Sequence, residues 1–555
     1  MQQEQRDSII AYQIYPKSFQ DTNGDGIGDL RGIIKRLDYL KSLGINVIWL
    51  CPVYQSPMKD NGYDISDYYQ IDPRFGTMKD MEELISECEK RGIRILMDLV
   101  VNHCSCEHAW FQNALADPEG PYGEYFIMKK GSCGQPPNNW RSVFEGSVWE
   151  PVAGTDYYYY HTFAKEQPDL NWENENLRRE VYKMMNFWLE KGLGGFRVDA
   201  ITYIKKDPSY RSLPADGADG LAGLSKVSEN YPGIEVFLRE MREQTFDRYH
   251  AFSVAEMSGV TEEKLETFIG EDGAFSSIFD FSCIDLDVED GLWFQEHKIT
   301  AADIREAMYP MQIMAQKTGG MLSVVLGNHD HQRSLNKFIP WKDIGYESAS
   351  MLATMNLTLR GIPFIYQGEE IGMTNITLDS IDEFDDVATH GQYDRAVLEG
   401  FSAKEALRAV NRRSRDHSRT PMQWEDGANA GFSKVKPWFP VNPDYPEVNV
   451  CRQEEQEKSI LKYYRALIAL RNGEEYGSIL RSGTFSPLYD GEEDIIAYRR
   501  ALNQEHVDVL INFGGQEREI ILEEMPEKVI FGNYREPLIR GNSVTLRPYE
   551  AMILW

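Results

Sequence analysis

The sequence predicts a (β/α)8 barrel that carries a small domain inserted after strand 3 and is followed by a C-terminal antiparallel β domain. Two observations predict the barrel: strand and helix patterns alternate through the first 100 residues, and eight short apolar runs of strand character recur along the chain. A third observation is that carboxylates close four of these runs, at Asp98, Asp199, Glu256 and Asp330. Because the carboxyl ends of parallel barrel strands converge on one face, these acids are expected to meet there.

The first three strands and the two helices between them are predicted within residues 1–103. IIAYQIYP, INVIWL and IRILMDLVV are typical of buried parallel strands. The second helix begins with a Thr77-x-x-Asp80 capping box and ends near Gly92. The first helix ends at Gly44 and has one apolar face, formed by Leu30, Ile33, Ile34, Leu37, Leu40 and Leu43.

The alternation of strand and helix then stops, and residues 104–171 predict an inserted domain. This stretch is rich in Gly, Pro, Asn and aromatic residues, including PEGPYG, GQPPNNW and the run Tyr157–Tyr160. A structureless loop of this length is uncommon inside a compact domain, so a small folded unit is expected. We assign the tyrosine run to the packing of that unit.

The barrel pattern resumes over residues 172–480. A helix with an apolar face from Leu177 to Leu189 ends at Gly192 and leads into GGFRVDAI as strand four. AFSVAE, SSIFDFS, LSVVLGN and IPFIYQG serve as strands five to eight. Residues 370–436 are charged and loop-rich, and they predict an elaboration after strand eight. From residue 481 to 555 short alternating strands predict a sandwich-like β domain.

Composition and charge exclude several classes of function. The 555 residues contain 58 basic and 88 acidic side chains, a formal net charge of −30 that disfavours nucleic acid and anionic membrane surfaces. No apolar run reaches about 18 residues, so no spanning helix is expected, and the N-terminus lacks the pattern of a signal peptide. The seven scattered cysteines indicate free thiols in a cytoplasmic protein. Their spacing, including Cys104 and Cys106, matches no standard zinc site.

The acids at the strand ends suit the cleavage of a glycosidic bond. An ionised carboxylate can attack an anomeric carbon and form a covalent glycosyl ester, while a second carboxyl group protonates the leaving oxygen. Arg197 precedes Asp199 by two positions, so both side chains leave the strand on the same side and the cation would keep Asp199 ionised.

The chain resembles the α-amylase family of glycoside hydrolases, and within it the oligo-1,6-glucosidase and α-glucosidase branch. Four ordered motifs carry the resemblance, which runs from about residue 8 to the C-terminus: DLVVNH, GFRVDA, VAEM and GNHD. The resemblance implies Asp199 as nucleophile, Glu256 as acid/base and Asp330 as the group that stabilises the transition state. Glu256 must carry a proton when it meets the glycosidic oxygen, and negative neighbours would favour that form. Asp98 is expected to orient Arg197 or the trio.

The same resemblance implies a set of side chains that hold the terminal glucose. Asp60 and Arg419 would grip its outer hydroxyls and close the pocket, because a carboxylate and a guanidinium fix a hydroxyl pair with strict geometry. Tyr63 would stack under the ring, and His103 and His329 would contact hydroxyls near the reacting carbon. Phe144 and Phe163 are weaker candidates for the wall of the pocket, and core packing is nearly as good an explanation for them.

A second pattern predicts a metal site near the N-terminus. Asp21, Asn23, Asp25 and Asp29 place oxygen ligands at alternate positions around a turn at Gly26, with the Ile27 carbonyl as a further ligand. The twelfth position of the loop is Gly32, so this is not a complete EF-hand. The branch carries a metal in this loop, and structural calcium is expected, with magnesium as the alternative. An acidic turn without metal is the competing interpretation.

Two features bear on the bond that is cut. Gln167-Pro168-Asp169-Leu170-Asn171 resembles the motif of the α-1,6-acting branch, but Ala200 follows the nucleophile where that branch usually has valine. The smaller side chain would open space for an α-1,4-linked leaving sugar. The expected activity is therefore an exo-acting α-glucosidase on short α-1,6- or α-1,4-linked oligosaccharides, in a monomer or weak oligomer. His331-Gln332 departs from the Gln-Pro that is commoner after this aspartate, which leaves the contacts with the reducing-side sugar open.

Several other functions compete with this prediction. The same covalent intermediate could pass glucose to a sugar hydroxyl, as in a transglucosylase or a sucrose isomerase, and trehalose-6-phosphate hydrolases share the scaffold. A non-catalytic transporter subunit would have lost the acids and gained a membrane anchor. A nucleotide-binding enzyme is disfavoured because no phosphate-binding glycine motif follows a strand.

Overall fold

The computed structural model describes residues 6–289 and 291–555 and places eight parallel strands in a closed barrel. The barrel strands are β1 Ala11–Ile14, β2 Val47–Leu50, β3 Arg94–Val100, β4 Gly195–Asp199, β5 Phe252–Ala255, β6 Ser277–Asp280, β7 Leu322–Val324 and β8 Ile362–Tyr366. Each strand pairs with its neighbours in chain order, and β8 returns to β1 through Ala11 opposite Phe364. All eight predicted strands and the predicted barrel are confirmed.

Helices cover the outside of the barrel. One principal helix follows each strand: Leu30–Leu43, Met78–Lys90, Glu175–Glu190, Ile234–Met241, Glu262–Ile269, Ala301–Lys317, Tyr346–Thr358 and Ile460–Asn472. The first helix ends at Gly44, whose φ of 97° is the left-handed value that glycine adopts without strain. The second helix begins with the predicted capping box of Thr77 and Asp80.

The alternation of side chains along the strands divides the hydrophobic core into two layers. Residues such as Val47, Trp49, Leu96 and Phe364 fill the inside of the barrel. Their sequence neighbours pack outward against the helices. Because the interior is filled with side chains, the functional site is confined to the end of the barrel.

The segment after β3 is folded, as predicted. It contains a helix at Ala109–Ala116 and three strands at Met128–Lys130, Trp149–Pro151 and Tyr157–Tyr160. The tyrosine strand is the central one and pairs with both others. Tyr160 is fully buried among Trp140 and Trp149, so the packing role assigned to the tyrosine run is confirmed for this residue.

Two further regions complete the chain. The elaboration after β8 includes helices Val387–Leu398 and Ala403–Arg413, which pack on each other. The C-terminal sheets enclose their own apolar core. They are a five-stranded antiparallel sheet of Thr484–Leu488, Ile495–Leu502, Glu505–Asn512, Ala551–Leu554 and Val529–Gly532, and a three-stranded sheet of Arg518–Ile521, Ser543–Leu546 and Leu538–Arg540.

Two other expectations concern the whole chain. All seven cysteines are free. No helix within residues 6–289 and 291–555 is long and apolar enough to span a bilayer.

Candidate active site

Asp199, Glu256 and Asp330 line one cavity of about 370 Å³. Asp199 is the last residue of β4, and Glu256 directly follows β5. Asp330 lies in the loop after β7, six positions beyond the strand, so it is not at the strand end as expected. Asp98 also differs from the expectation, since it lies inside β3 and is fully buried. The predicted convergence of the three acids is present.

Arg197 joins these carboxylates from inside the barrel. Its side chain is fully buried, and Nη1 lies 2.5 Å from Asp98 Oδ1 and 2.6 Å from Asp199 Oδ1. Nη2 donates to Glu256 Oε2 at 2.8 Å. One guanidinium therefore fixes the orientation of both carboxylates that are expected to react.

The backbone at Ala200 adds a second contact to Glu256. The Ala200 N–H donates to Glu256 Oε2 at 3.0 Å, so this bond and the bond from Arg197 end on the same oxygen. Ala200 has φ 43° and ψ 30°, in the left-handed region that disfavours branched side chains. This turn directs the amide toward Glu256, and the Ala200 side chain lines the cavity.

Burial and ion pairing oppose each other at the base of the cavity. Burial raises the pKa of Asp199, and the positive charge of Arg197 limits that rise. Burial likewise raises the pKa of Asp98 to about 6, again opposed by Arg197. Asp98 also accepts hydrogen bonds on Oδ2 from Trp49 Nε1 at 2.8 Å and from Tyr63 Oη at 3.1 Å. Asp98 thus contacts Arg197 on one oxygen and Trp49 and Tyr63 on the other. These contacts suit the expected role of orienting the arginine.

Asp330 has the opposite electrostatic environment. Burial acts to raise its pKa, but nearby His329, Arg415 and Arg419 outweigh that effect and hold the pKa of Asp330 well below its usual range. Arg415 Nη1 lies 3.0 Å from Asp330 Oδ1, and Arg419 Nη2 lies 3.3 Å from the same oxygen. These neighbours therefore favour the ionised form of Asp330 in the cavity wall.

The guanidinium that lies beside Asp60 belongs to Arg415 and not to Arg419, which was predicted to grip the sugar together with Asp60. Arg415 lines the cavity, and its Nη2 lies 3.3 Å from Asp60 Oδ1. Arg419 is 1% exposed and donates through Nε to the His329 carbonyl at 3.0 Å. Both arginines also pair with the buried Asp386. Arg419 therefore supports the loop that carries Asp330, and the gripping role expected for it fits Arg415.

Gln167 was placed only in the linkage motif by the sequence, but it contacts this part of the cavity. Its Nε2 donates to Asp60 Oδ2 at 3.0 Å and lies 3.1 Å from His103 Nε2. His103 lines the cavity, and burial lowers its pKa. A neutral imidazole at this position can exchange hydrogen bonds with a sugar hydroxyl.

Aromatic rings form the remainder of the expected glucose-binding wall. Tyr63 lines the cavity and stacks on His329, with ring centroids 5.2 Å apart and an interplanar angle of 12°. His329 itself is fully buried and does not line the cavity, so its expected contact with a hydroxyl stays a prediction. Phe144 and Phe163 both line the cavity, with ring centroids 5.4 Å apart.

The predicted metal loop has oxygen donors that fit a hard cation in chemistry. Asp21 Oδ1 accepts the Gly24 N–H at 2.7 Å, and Asp29 Oδ1 accepts the Gly32 N–H at 2.7 Å and caps the first helix. Asn23 and Asp25 are exposed. Among the residues that the structure describes, no three His, Cys, Asp or Glu side chains are grouped to hold a metal. Calcium at this loop, including the Ile27 carbonyl, therefore stays a prediction.

Comparisons with known proteins show the family to which the chain belongs. The family model of the α-amylase catalytic domain matches residues 13–483, and that of the α-amylase SusG C-terminal domain matches residues 495–553. An oligo-1,6-glucosidase of Bacillus cereus is 42% identical over 98% of both chains. A trehalose-6-phosphate hydrolase of Bacillus subtilis is 38% identical over 98% of this chain and 97% of its own. The crystal structure of an isomaltulose synthase from Klebsiella sp. LX3 superposes with a TM-score of 0.93, at 37% identity, over 99% of this chain and 98% of that one.

Proposed function

Because the chain belongs to the α-amylase family of glycoside hydrolases, we propose that it is a retaining, exo-acting α-glucosidase. Its substrates are short α-1,6- or α-1,4-linked gluco-oligosaccharides, from which it releases glucose at the non-reducing end. The observation that carries the proposal is the convergence of Asp199, Glu256 and Asp330 in one cavity that Asp60 and Arg415 also line. The 42% sequence identity to the oligo-1,6-glucosidase of Bacillus cereus supports the proposal.

In the first step Asp199 attacks the anomeric carbon. Arg197 holds Asp199 Oδ1 at 2.6 Å, which leaves Oδ2 as the attacking oxygen. Glu256 donates its proton to the glycosidic oxygen while the C1–O bond breaks, so the leaving sugar departs as an alcohol and a glycosyl ester remains on Asp199. Because both hydrogen bonds described above end on Glu256 Oε2, the proton is assigned to Oε1.

In the second step water replaces the leaving sugar. Glu256, now ionised, takes a proton from the water, whose oxygen attacks C1 and displaces Asp199. Two displacements at the same carbon retain the α configuration. The negative charge of Asp330 stabilises the positive charge that develops on the sugar ring in both steps.

The Asp60–Arg415 pair would bind the outer hydroxyls of the terminal glucose. Such a pair ends the pocket after one sugar unit, which is what exo cleavage requires. Gln167 fixes Asp60 through its hydrogen bond at 3.0 Å, so the carboxylate presents a defined acceptor geometry.

The reaction is tested by product analysis. We expect isomaltose and maltose to yield glucose, and proton NMR of the first product formed should show the α anomer before mutarotation. Asp199→Asn and Glu256→Gln should each lose nearly all activity while their melting temperatures change by only a few degrees, since both side chains line the cavity. Release of the β anomer first, or near-wild-type turnover in either variant, would contradict the mechanism.

Linkage preference rests on Ala200, and we propose that both α-1,6 and α-1,4 bonds are cut. Ala200 lines the cavity beside the nucleophile, where a small side chain leaves space for differently oriented leaving sugars. Initial rates on isomaltose and maltose test this directly. A ratio of kcat/KM beyond about a hundredfold in either direction would refute dual specificity.

Transfer of glucose to a sugar hydroxyl is the second candidate function. The structural similarity to the isomaltulose synthase of Klebsiella sp. LX3, with a TM-score of 0.93, supports this candidate. Chromatography of the products from sucrose distinguishes the two: glucose with fructose indicates hydrolysis, and an isomeric disaccharide indicates transfer.

We also propose that the loop of Asp21, Asn23, Asp25, Ile27 and Asp29 binds structural calcium, with magnesium as the alternative. The ligands supply only oxygen atoms, which suits either ion. Melting curves in calcium, in magnesium and in a chelator test the proposal. Identical curves in all three would contradict it, and Asp25→Asn should remove any stabilisation by the metal.

We further propose that the protein works in the cytoplasm as a monomer or weak oligomer. Seven free cysteines support a reducing compartment. Cell fractionation tests the location, and light scattering across a range of protein concentrations tests the assembly.

A further inference from the structure

The cavity is also lined by a set of residues that the catalytic proposal does not use. We call it the leaving-group wall and define it as Phe281, Ile284, Asp285, Trp293, His331 and Arg413, all of which line the cavity. These residues come from the loop after β6, the hairpin strand Leu292–Glu296, the loop after β7 and the end of helix Ala403–Arg413. A leaving sugar, attached to the bond that is cut, would meet this wall.

The charge of the cavity is strongly negative. Its described lining residues include six carboxylates and two arginines, and no lysine. Both arginines are already paired: Arg415 with Asp60 and Asp330, and Arg413 with Asp285 and Asp287. Among the described residues that line the cavity, no lysine or arginine side chain is therefore free to bind an anion.

Asp285 is the acid of the leaving-group wall. Its side chain is 65% exposed, and Oδ1 pairs with Arg413. Partial desolvation acts to raise the pKa of Asp285, but the positive charge of Arg413 outweighs this effect and lowers that pKa, so the carboxylate is ionised at neutral pH. His331 beside it adds no compensating charge, because burial lowers its pKa to about 4.

Trp293 supplies the apolar part of the wall. The residue is 9% exposed, and its backbone is held by Gln392 Oε1, which accepts the Trp293 N–H at 3.2 Å, and by Arg412 Nη2, which donates to the Trp293 carbonyl at 2.7 Å. Its indole N–H has no acceptor among the described residues. A fixed aromatic ring with a free donor suits an uncharged sugar, which offers both apolar ring faces and hydroxyl groups.

We propose that the leaving-group wall selects an uncharged sugar and rejects a phosphorylated one. The proposal rests on the α-glucosidase function and narrows its substrate class. A phosphate dianion on the leaving sugar would approach the ionised Asp285 and find no unpaired cation among the described lining residues, whereas the hydroxyl groups of a neutral sugar can donate to the same carboxylate. Hydrolysis of trehalose 6-phosphate, one of the functions considered for this scaffold, is thereby disfavoured.

The experiment uses substrate pairs that differ only in the phosphate. We expect kcat/KM for maltose to exceed that for maltose phosphorylated on C6 of its reducing-end glucose by at least about a hundredfold. If the enzyme cuts trehalose, kcat/KM for trehalose should likewise exceed that for trehalose 6-phosphate. Asp285→Asn should shrink the maltose ratio by about tenfold, since one of the repelling charges is removed while Arg413 keeps its partner Asp287. α-Glucosyl fluoride, whose leaving group is a single atom, normalises each rate for the amount of folded active enzyme.

Glu289→Gln is the matched control. Glu289 is an exposed acid four positions from Asp285, and it does not line the cavity. Its substitution should leave the maltose ratio unchanged. Equal rates of the wild-type enzyme on the two maltoses, or an Asp285→Asn ratio equal to that of the control, would overturn the proposal. Failure of the α-glucosidase function is distinguishable, because it would abolish hydrolysis of α-glucosyl fluoride as well.

Discussion

Substitution of Arg415 tests which of two neighbouring arginines binds the substrate. Arg415 lies 3.3 Å from Asp60 and 3.0 Å from Asp330, and it also pairs with Asp386. A lysine keeps the charge but can reach one of these carboxylates instead of three. Arg415→Lys therefore removes about two charge-assisted hydrogen bonds, each contributing about 1.5–3 kcal/mol.

These bonds position the Arg415 guanidinium, which is proposed to bind the sugar. We therefore expect their loss to lower kcat/KM. A loss of about 3–6 kcal/mol of transition-state stabilisation corresponds to a fall in kcat/KM of about 10²–10⁴-fold. Isomaltose hydrolysis, followed through the glucose released, measures the effect. A thermal melt of the same sample shows how much of the protein is folded.

Arg419→Lys is the comparison variant. Arg419 does not line the cavity, and its Nε donates to the His329 carbonyl at 3.0 Å. We expect it to lower the melting temperature by several degrees and to change kcat/KM by about tenfold or less, because it acts through the loop that carries Asp330. If Arg415→Lys kept more than about a third of wild-type activity, or if Arg419→Lys lost more activity than Arg415→Lys, the assignment of Arg415 would be wrong.

Two further substitutions follow from the backbone and from buried charge. Ala200→Val places a branched side chain at φ 43°, so it should lower the free energy of unfolding by about 1–2 kcal/mol. Maltose hydrolysis should fall more than isomaltose hydrolysis. Equal losses on the two substrates would contradict the role of Ala200 in linkage preference. Burial raises the pKa of Glu369 from 4.5 to about 8, so the folded state binds the carboxyl proton more tightly than the unfolded chain does. The free energy of unfolding therefore falls as the pH rises from the unfolded-state pKa of 4.5 through about 8. Glu369→Gln, which keeps the acceptor for Tyr464, should therefore gain stability relative to wild type between pH 5 and 9, and a difference in melting temperature that does not change with pH would refute the raised pKa.

The barrel could be predicted from the sequence because parallel strands are buried on both faces. Runs such as IPFIYQG are continuous in apolar residues, and each of the eight runs became a strand. The capping box at Thr77 and the glycine at position 44 fixed helix ends for the same local reasons. Loop lengths were harder to predict: Asp330 follows β7 by six positions, because apolar composition continues past the last paired residue.

The candidate site was predictable where one motif carries the chemistry. Asp199 and Arg197 share one strand, so their spacing alone placed both side chains on one side. Arg415 and Arg419 stand four positions apart in one segment, and nothing in their spacing indicates which faces the cavity. Only the tertiary partners distinguish them, Asp60 for the first and the His329 carbonyl for the second.

The leaving-group wall had no sequence pattern at all. Asp285, Trp293 and Arg413 come from separate segments, and their shared cavity depends on how the elaboration after β8 packs against the loops of β6 and β7. The sequence alone does not distinguish an acid, a tryptophan and an arginine in such segments from residues without a role in binding.

Chemical trapping of the glycosyl ester tests the central claim most directly. A 5-fluoro-α-glucosyl fluoride forms the covalent intermediate faster than water removes it, and peptide mass spectrometry then locates the sugar. We predict one fluoroglucosyl group per chain on the peptide that contains Asp199, and none on Asp199→Asn. A label on Glu256 or Asp330, or an inactivated enzyme that carries no label, would contradict the mechanism.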